Sequence, residues 1–120
     1  MNGDLAEVKR LVIDCGIDPN IQDDEGWTPL HNAASNDYLN VVKLLLEHGA
    51  DPNIQDNDGE TPLHSAVKGC HVDVVRVLLD HGADLTIRDK KGRTPLDYGS
   101  DCGEIIEELR RRSGGTTVYE

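Results

Sequence analysis

The side chains with the clearest chemical potential are five histidines and three cysteines, which are zinc-ligand types. His31 and His64 lie 33 residues apart, and Cys15, His48 and His81 recur at the same spacing. Ligands of one zinc ion converge within about 2.0–2.3 Å of a point, whereas equivalent residues on packed helices lie about 8–10 Å apart. The regular spacing therefore predicts structural roles and no bound metal.

Two acidic clusters, 23–25 and 56–58, are the next candidates, because carboxylates could bind calcium. Neither has the ligand spacing of an EF-hand loop, and each is followed by a glycine, which is typical of a solvated turn. The chain also has no G-x-S-x-G, P-loop, H-E-x-x-H or paired C-x-x-C motif. These patterns predict a protein that is not an enzyme and needs no cofactor.

Composition argues against several further classes of function. The chain has 120 residues, 12 basic and 23 acidic side chains, and a formal net charge of −11. This balance argues against binding nucleic-acid phosphates or an anionic membrane, and an aromatic content of 3% argues against a base-stacking platform. No apolar run approaches the ~20 residues of a membrane helix. Three widely spaced cysteines favour reduced thiols and a cytoplasmic or nuclear location.

An internal repeat organises these residues. Thr28-Pro29-Leu30-His31 returns 33 residues later, and a third copy at 94–97 ends in Asp97. Residues 28–60 and 61–93 are identical at 16 of 33 positions. A strict period of this length indicates stacked units that bury their apolar faces only against their neighbours.

Each unit reads as two helices and a turn-rich loop. A threonine caps the first helix, a proline occupies its first position, and an aliphatic run forms the second helix. A glycine ends the second helix in a left-handed conformation. The residues with these structural roles, together with the two repeat histidines, are Thr28, Pro29, His31, Gly49, Thr61, Pro62, His64, Gly82, Thr94 and Pro95.

The unit GWTPLHNAASNDYLNVVKLLLEHGADPNIQDND resembles an ankyrin repeat. The resemblance implies an all-α repeat solenoid with β-hairpin-like loops, in which His31 and His64 bond local backbone and the neighbouring turn. We predict one domain over 1–112: a partial repeat at 1–25, repeats at 26–58 and 59–91, and a shortened capping repeat at 92–112. The partial repeat matches only the second half of a unit, so either a longer array has been cut here or Met1 begins a half-repeat whose apolar face is partly uncovered. Residues 113–120 are predicted to be a disordered tail.

The resemblance also implies a non-enzymatic protein–protein interaction module, expected to be monomeric. Partners of ankyrin arrays usually contact the loop tips and the exposed side of the first helices. Transferred to this chain, that face comprises Asp24, Glu25, Trp27, Asn32, Ser35, Asn36, Asn57, Asp58, Glu60, Ser65, Lys68, Lys90, Lys91, Arg93 and Tyr98.

Charge and the single tryptophan suggest the kind of partner. Residues 1–60 carry 3 basic and 13 acidic side chains, whereas residues 61–120 carry 9 and 10. Such a gradient would orient a basic or mixed-charge peptide or protein surface. Trp27 lies among the acids, either as an exposed anchor for this partner or packed on its own loop.

Three alternatives stay open. Residues 26–31 resemble a segment of ankyrin domains that read basic histone tails, although Asn32 stands where those domains usually have an acid. Arg88-Asp89 and Gly92-Arg93 loosely resemble small ankyrin-type inhibitors of a kinase or phosphatase. The regularity of two units also suits a designed consensus-like binding scaffold, but the three cysteines argue against that origin.

Overall fold

The computed structural model describes residues 16–112. The interpretations made for residues 1–15, including Cys15, and the predicted tail at 113–120 lie outside this range. In chain order the helices are α1 (Pro29–Ser35), α2 (Leu39–Glu47), α3 (Pro62–Lys68), α4 (Val72–Asp80), a 3₁₀ helix (Pro95–Tyr98) and α5 (Gly103–Arg112). The described range contains no strand. We refer to residues 26–58, 59–91 and 92–112 as the first, second and third units.

The first helices begin at threonine caps. The hydroxyl oxygens of Thr28 and Thr61 accept hydrogen bonds from the backbone N–H groups of His31 and His64, at 3.2 and 3.4 Å. A proline follows each threonine, where its missing N–H leaves no intrahelical bond unmade. The cap and the proline together set where each helix starts.

Helices of neighbouring units stack in two layers. In one layer α1 packs on α3 and α3 on the 3₁₀ helix; in the other α2 packs on α4 and α4 on α5. The core between the layers is aliphatic, with Leu30, Leu45, Leu63, Leu78 and Ile105 fully buried. Each such side chain contributes about 1.5–3 kcal/mol through burial, so the core needs no aromatic residue. The all-α repeat solenoid is confirmed.

The loops between units are tight hairpin-like turns, each organised by one aspartate. In the loop between the first and second units, the Asp56 carboxylate accepts the N–H groups of Asp58 and Glu60 at 2.9 Å, and the Asp56 N–H donates to the Glu60 carbonyl at 2.8 Å. Asp23 and Asp89 repeat this pattern. The two acidic clusters thus contain the organising residues of turns.

Gly59 allows these turns to stack. Its φ is +79°, and a Cβ at this position would lie 2.9 Å from the backbone nitrogen of Lys90 in the next loop. Gly49 and Gly82, which follow α2 and α4, have φ values of +96° and +92°. The left-handed ends predicted for the second helices are therefore present.

An asparagine ladder joins the units on the second-helix side. The Asn20 side chain donates to the Gly49 carbonyl at 3.1 Å and accepts from the Asp51 N–H. Asn53 makes the equivalent bonds to Gly82 and Asp84, at 3.1 and 2.8 Å. Thr86 occupies the next position, and its hydroxyl bonds Asp84 in its own loop instead.

The expectation of three reduced thiols is wrong for two of them. Cys70 and Cys102 form a disulfide with their Cα atoms 5.8 Å apart. Both residues lie in the turn between the two helices of their units, and stacking brings these turns together although they are 32 residues apart in sequence. The cysteine count therefore no longer supports a reducing cytoplasmic or nuclear compartment.

The third unit departs from the pattern in two ways. Its first helix is only a 3₁₀ turn, in which the Asp97 carboxylate accepts the Thr94 N–H at 2.9 Å. Its second helix, α5, buries Glu108 at 4% exposure among Arg76, Arg111 and Arg112. Burial raises the pKa of Glu108, but hydrogen bonds from Arg76 and Arg112 outweigh it and hold the pKa below its usual range. Ionic contacts thus partly replace apolar burial here.

Candidate partner-binding face

Trp27 is half-buried between two surface cavities. The edge cavity, about 240 Å³, is lined by Ile21, Gln22, Asp23, Trp27, Thr28, Pro29 and Asn32. The central cavity, about 300 Å³, is lined by Trp27, Ser35, Glu60, Ser65, Lys68 and Gly69. The indole stacks on the His31 ring, with 5.8 Å between centroids. Trp27 therefore both packs on its own unit and keeps a surface that a partner can reach.

The repeat histidines fix the loops that carry this face. Nδ1 of His31 accepts the Thr28 N–H at 3.1 Å, which leaves the proton on Nε2 to donate to the Glu60 carbonyl at 2.8 Å. Burial lowers the pKa of His31 and so favours this neutral ring. His64 bonds Thr61 and the Arg93 carbonyl in the same way, both at 3.0 Å. Each histidine thereby ties a first helix to the loop of the following unit.

Glu60 and Lys68 form an ion pair in the central cavity. The Glu60 side chain is 15% exposed and the Lys68 side chain 42%. Burial lowers the pKa of Lys68, but the hydrogen bond to Glu60 and the charge of its carboxylate raise it more, so the pKa lies above its usual value. The Lys68 ammonium also lies 4.6 Å from the centroid of the Tyr98 ring. Lys68 is thus shared between a carboxylate and an aromatic face.

Tyr98, in the 3₁₀ helix, extends the candidate binding face into the third unit. Its hydroxyl donates to the Asp89 carboxylate, and the Arg93 guanidinium lies 5.7 Å from its ring centroid. Burial raises the pKa of Asp89, but the hydrogen bonds from Tyr98 and from the backbone of Arg93 and Lys91 outweigh it and bring the pKa to about 2. The bond to Asp89 also raises the pKa of Tyr98. The third unit thus presents an ordered aromatic ring flanked by cations.

The loop tips differ in charge along the array. Asp24 and Glu25 are exposed and line a further cavity of about 430 Å³ with Asp23. Asn57 donates from its side chain to the Asp24 carbonyl at 2.9 Å, which ties the first two tips together. At the third tip the exposed side chains are Lys90 and Lys91. The sign of the exposed charge therefore reverses between the first and third tips.

The structure does not bring all the predicted binding residues together. Asn36 caps the end of α1 and donates to the Asn32 carbonyl at 2.8 Å, so its amide is occupied within its own unit. Asp58 is exposed at the second tip and bonds the third tip through its carbonyl. The residues gathered around the central cavity or its Tyr98 side are Trp27, Ser35, Glu60, Ser65, Lys68, Arg93 and Tyr98.

Two residues that lie at or near the candidate binding face, Ile21 and His71, were not identified from the sequence. Ile21 lines the edge cavity and is 57% exposed, but an isolated isoleucine in a turn-rich stretch reads as a buried residue. His71 bonds the Ser35 carbonyl at 3.2 Å and lies 3.8 Å from the Asp37 carboxylate. His71 belongs neither to the His31/His64 pair nor to the Cys15/His48/His81 series, so the 33-residue period does not point to it.

Two findings concern classes of function. Within residues 16–112, no group of three or more His, Cys, Asp or Glu side chains is arranged to hold a metal ion. None of the helices described is long and apolar enough to cross a membrane.

Comparison with models of protein families shows the family to which the chain belongs. The family model described as ankyrin repeats (3 copies) matches residues 1–89 and 49–117. The chain belongs to the ankyrin repeat family. Ankyrin repeats are generally protein–protein interaction modules and are typically non-enzymatic. In this ankyrin protein, the first helices and loop tips meet at the central cavity, which makes that face the candidate binding surface.

Proposed function

We propose that this ankyrin domain binds a basic or mixed-charge peptide or protein surface along its first helices and loop tips, with Trp27 as the apolar anchor. The observation that carries the proposal is the position of Trp27, half-exposed between two cavities and next to the acidic tip formed by Asp23, Asp24 and Glu25. A partly exposed tryptophan in a polar rim is a typical hot spot of a protein interface.

The charge distribution supports a basic partner with a fixed orientation. Residues 1–60 have a net charge of −10 (3 basic, 13 acidic), and residues 61–120 have −1 (9 basic, 10 acidic). The basic segment of a partner would be drawn to the Trp27 end, and Lys90 and Lys91 would repel it from the third tip. Complementary charge of this kind raises the association rate and selects the orientation.

A direct test measures binding of a fluorescent (Arg-Gly)₆ peptide by anisotropy, with (Asp-Gly)₆ as the charge-reversed control. We expect the arginine peptide alone to bind, with an affinity that falls as salt rises. The double variant Trp27→Ala/Asp24→Lys should weaken binding by about 30-fold, the effect of losing one hot spot.

The matched control is Glu47→Lys, which makes the same charge change on the exposed side of α2, away from the proposed face. It should change the affinity less than threefold, a loss of less than about 0.7 kcal/mol. Binding that is insensitive to salt, or equal in the double variant and the wild type, would refute the proposed function.

A further inference from the structure

We propose that Trp27 and Glu60 form a binding site for one cationic side chain of the partner, and that Lys68 occupies this site in the free protein. The inference rests on the proposed function and adds a specific position to it. It assigns Lys68 the role of an internal competitor for the partner's cation.

The central cavity has the composition of a cation site. Trp27 and Glu60 both line it, together with Lys68, whose ammonium pairs with the Glu60 carboxylate. Glu60 is held in place because the Nε2–H of His31 donates to its backbone carbonyl at 2.8 Å. The Glu60 side chain is only 15% exposed, so a positive charge beside it offsets part of the cost of burying the carboxylate. In the free protein Lys68 supplies that charge from within the chain.

Lys68 can leave Glu60 at small cost. Its side chain is 42% exposed, and the lysine stem is flexible. Its ammonium already lies 4.6 Å from the Tyr98 ring centroid, so this contact can persist when Glu60 binds another cation. A partner cation in the cavity would gain both the Glu60 carboxylate and the face of Trp27. Arginine suits the site better than lysine, because a planar guanidinium can stack on the indole and bond a carboxylate at two points.

The site occurs once along the described face. One unit further along, the positions of Trp27 and Glu60 are taken by Glu60 and Arg93, and the position of Lys68 is taken by Asp101. Only the step between the first and second units therefore combines a tryptophan and a glutamate in the lining of one cavity. A single cation site next to the acidic tip would fix the register of a basic partner, which a charge gradient alone cannot do.

The experiment compares Lys68→Met with Lys43→Met, using (Arg-Gly)₆ as the probe; Lys43 is exposed on α2, away from the proposed face. Both variants remove one positive charge, but only Lys68 contacts Glu60. We expect Lys68→Met to bind about fivefold more tightly than wild type and Lys43→Met to change the affinity less than twofold, because screening weakens the distant charge. Quenching of Trp27, the only tryptophan of the chain, reports occupation of the cavity.

Glu60→Gln completes a double-mutant cycle. Glu60→Gln should weaken binding about tenfold, and Lys68→Met should give no tightening in the Glu60→Gln background, since its effect passes through that carboxylate. Circular dichroism of each variant checks that it is folded. If Glu60→Gln unfolds, the comparison of Lys68→Met with Lys43→Met still decides the question.

The outcomes separate the two proposals. Equal affinities for Lys68→Met and Lys43→Met, with binding that still depends on Trp27 and Asp24, would overturn the cation site and leave the proposed function standing. Failure of the wild type and every variant to bind (Arg-Gly)₆ would contradict the proposed function itself, and the cation site with it.

Discussion

The two junctions between units are built differently. Between the first and second units, contacts are apolar packing of α1 on α3 and α2 on α4, the His31 bond to Glu60, and the Asn53 bonds to Gly82 and Asp84. Between the second and third units, the corresponding His64 bond is kept, and a disulfide and a buried ionic cluster are added.

The difference follows from the size of the third unit. Its first helix is a four-residue 3₁₀ turn, against seven residues in α1 and α3, so it offers less apolar surface to its neighbour. Of its large apolar side chains, Leu96 is 46% exposed, whereas the equivalent Leu30 and Leu63 are fully buried. Covalent and ionic contacts compensate where packing is reduced, which makes the second junction sensitive to redox state and to pH.

Removing the disulfide should have the largest effect. A crosslink between positions 32 residues apart stabilises a chain by about 3–4 kcal/mol through the entropy of the unfolded state. We therefore expect Cys70→Ser/Cys102→Ser to lower the free energy of unfolding in urea by this amount. Dithiothreitol should destabilise the wild type equally and leave the double variant unchanged. An unfolding curve of the wild type that does not respond to the reductant would refute the covalent link.

Neutralising the buried carboxylate of the second junction comes next. Glu108→Gln removes the anion that Arg76, Arg111 and Arg112 share, and should cost about 2 kcal/mol, as for a charged hydrogen bond. Glu107→Gln is the matched control, because Glu107 is 69% exposed and lies 3.7 Å from Arg110. It should change stability by less than about 0.5 kcal/mol. Equal effects in thermal unfolding would show that the cluster is only a surface feature.

The Tyr98–Asp89 bond gives the second junction an acid dependence. The folded-state pKa of Asp89 is about 2, below the usual value, so its contribution is present above about pH 4 and is lost as pH falls toward 2. Tyr98→Phe should cost about 1.5 kcal/mol at pH 7 and reduce the loss of stability between pH 4 and pH 2. A wild type and variant with parallel pH profiles would contradict this role for Tyr98.

The smallest expected effect concerns the threonine caps of α1 and α3, which the first and second units have in common. Thr28→Ala and Thr61→Ala each remove a helix cap, and each should lower stability by about 1 kcal/mol. Thr28→Ser and Thr61→Ser keep the hydroxyl and serve as controls. A clear difference between the two alanine variants would mean that the caps are coupled to the unlike contacts of their junctions.

Periodicity made the regular parts of the fold predictable. The threonine caps, the aliphatic second helices and the left-handed Gly49 and Gly82 recur in sequence, and the structure has them at those positions. The 3₁₀ turn was not predictable from Thr94-Pro95-Leu96, because the motif is retained while the link to α5 is shortened. The disulfide was not predictable from the number and sequence spacing of the cysteines, because these do not show which turns stack against each other.

Only part of the candidate binding site could be predicted from the sequence, because contacts between units depend on more than the repeat pattern. Register transferred from the family placed Trp27, Glu60 and Lys68 on one face, and the structure gathers them in one cavity. Sequence alone could not show that Lys68 reaches Glu60, eight residues away, or that it also lies over Tyr98. Such contacts depend on side-chain directions between units, which have no counterpart in the repeat pattern.

The asparagine ladder determines where this array tolerates duplication. Asn20 and Asn53 each bond the backbone of the following unit, whereas Thr86 bonds within its own loop. A copy of residues 28–60 inserted after position 60 would carry its own asparagine and continue the ladder on both sides. A copy inserted after position 93 would instead follow Thr86 and lack that link. Lengthening of the array by recombination, in nature or in the laboratory, should therefore succeed more readily at the first position.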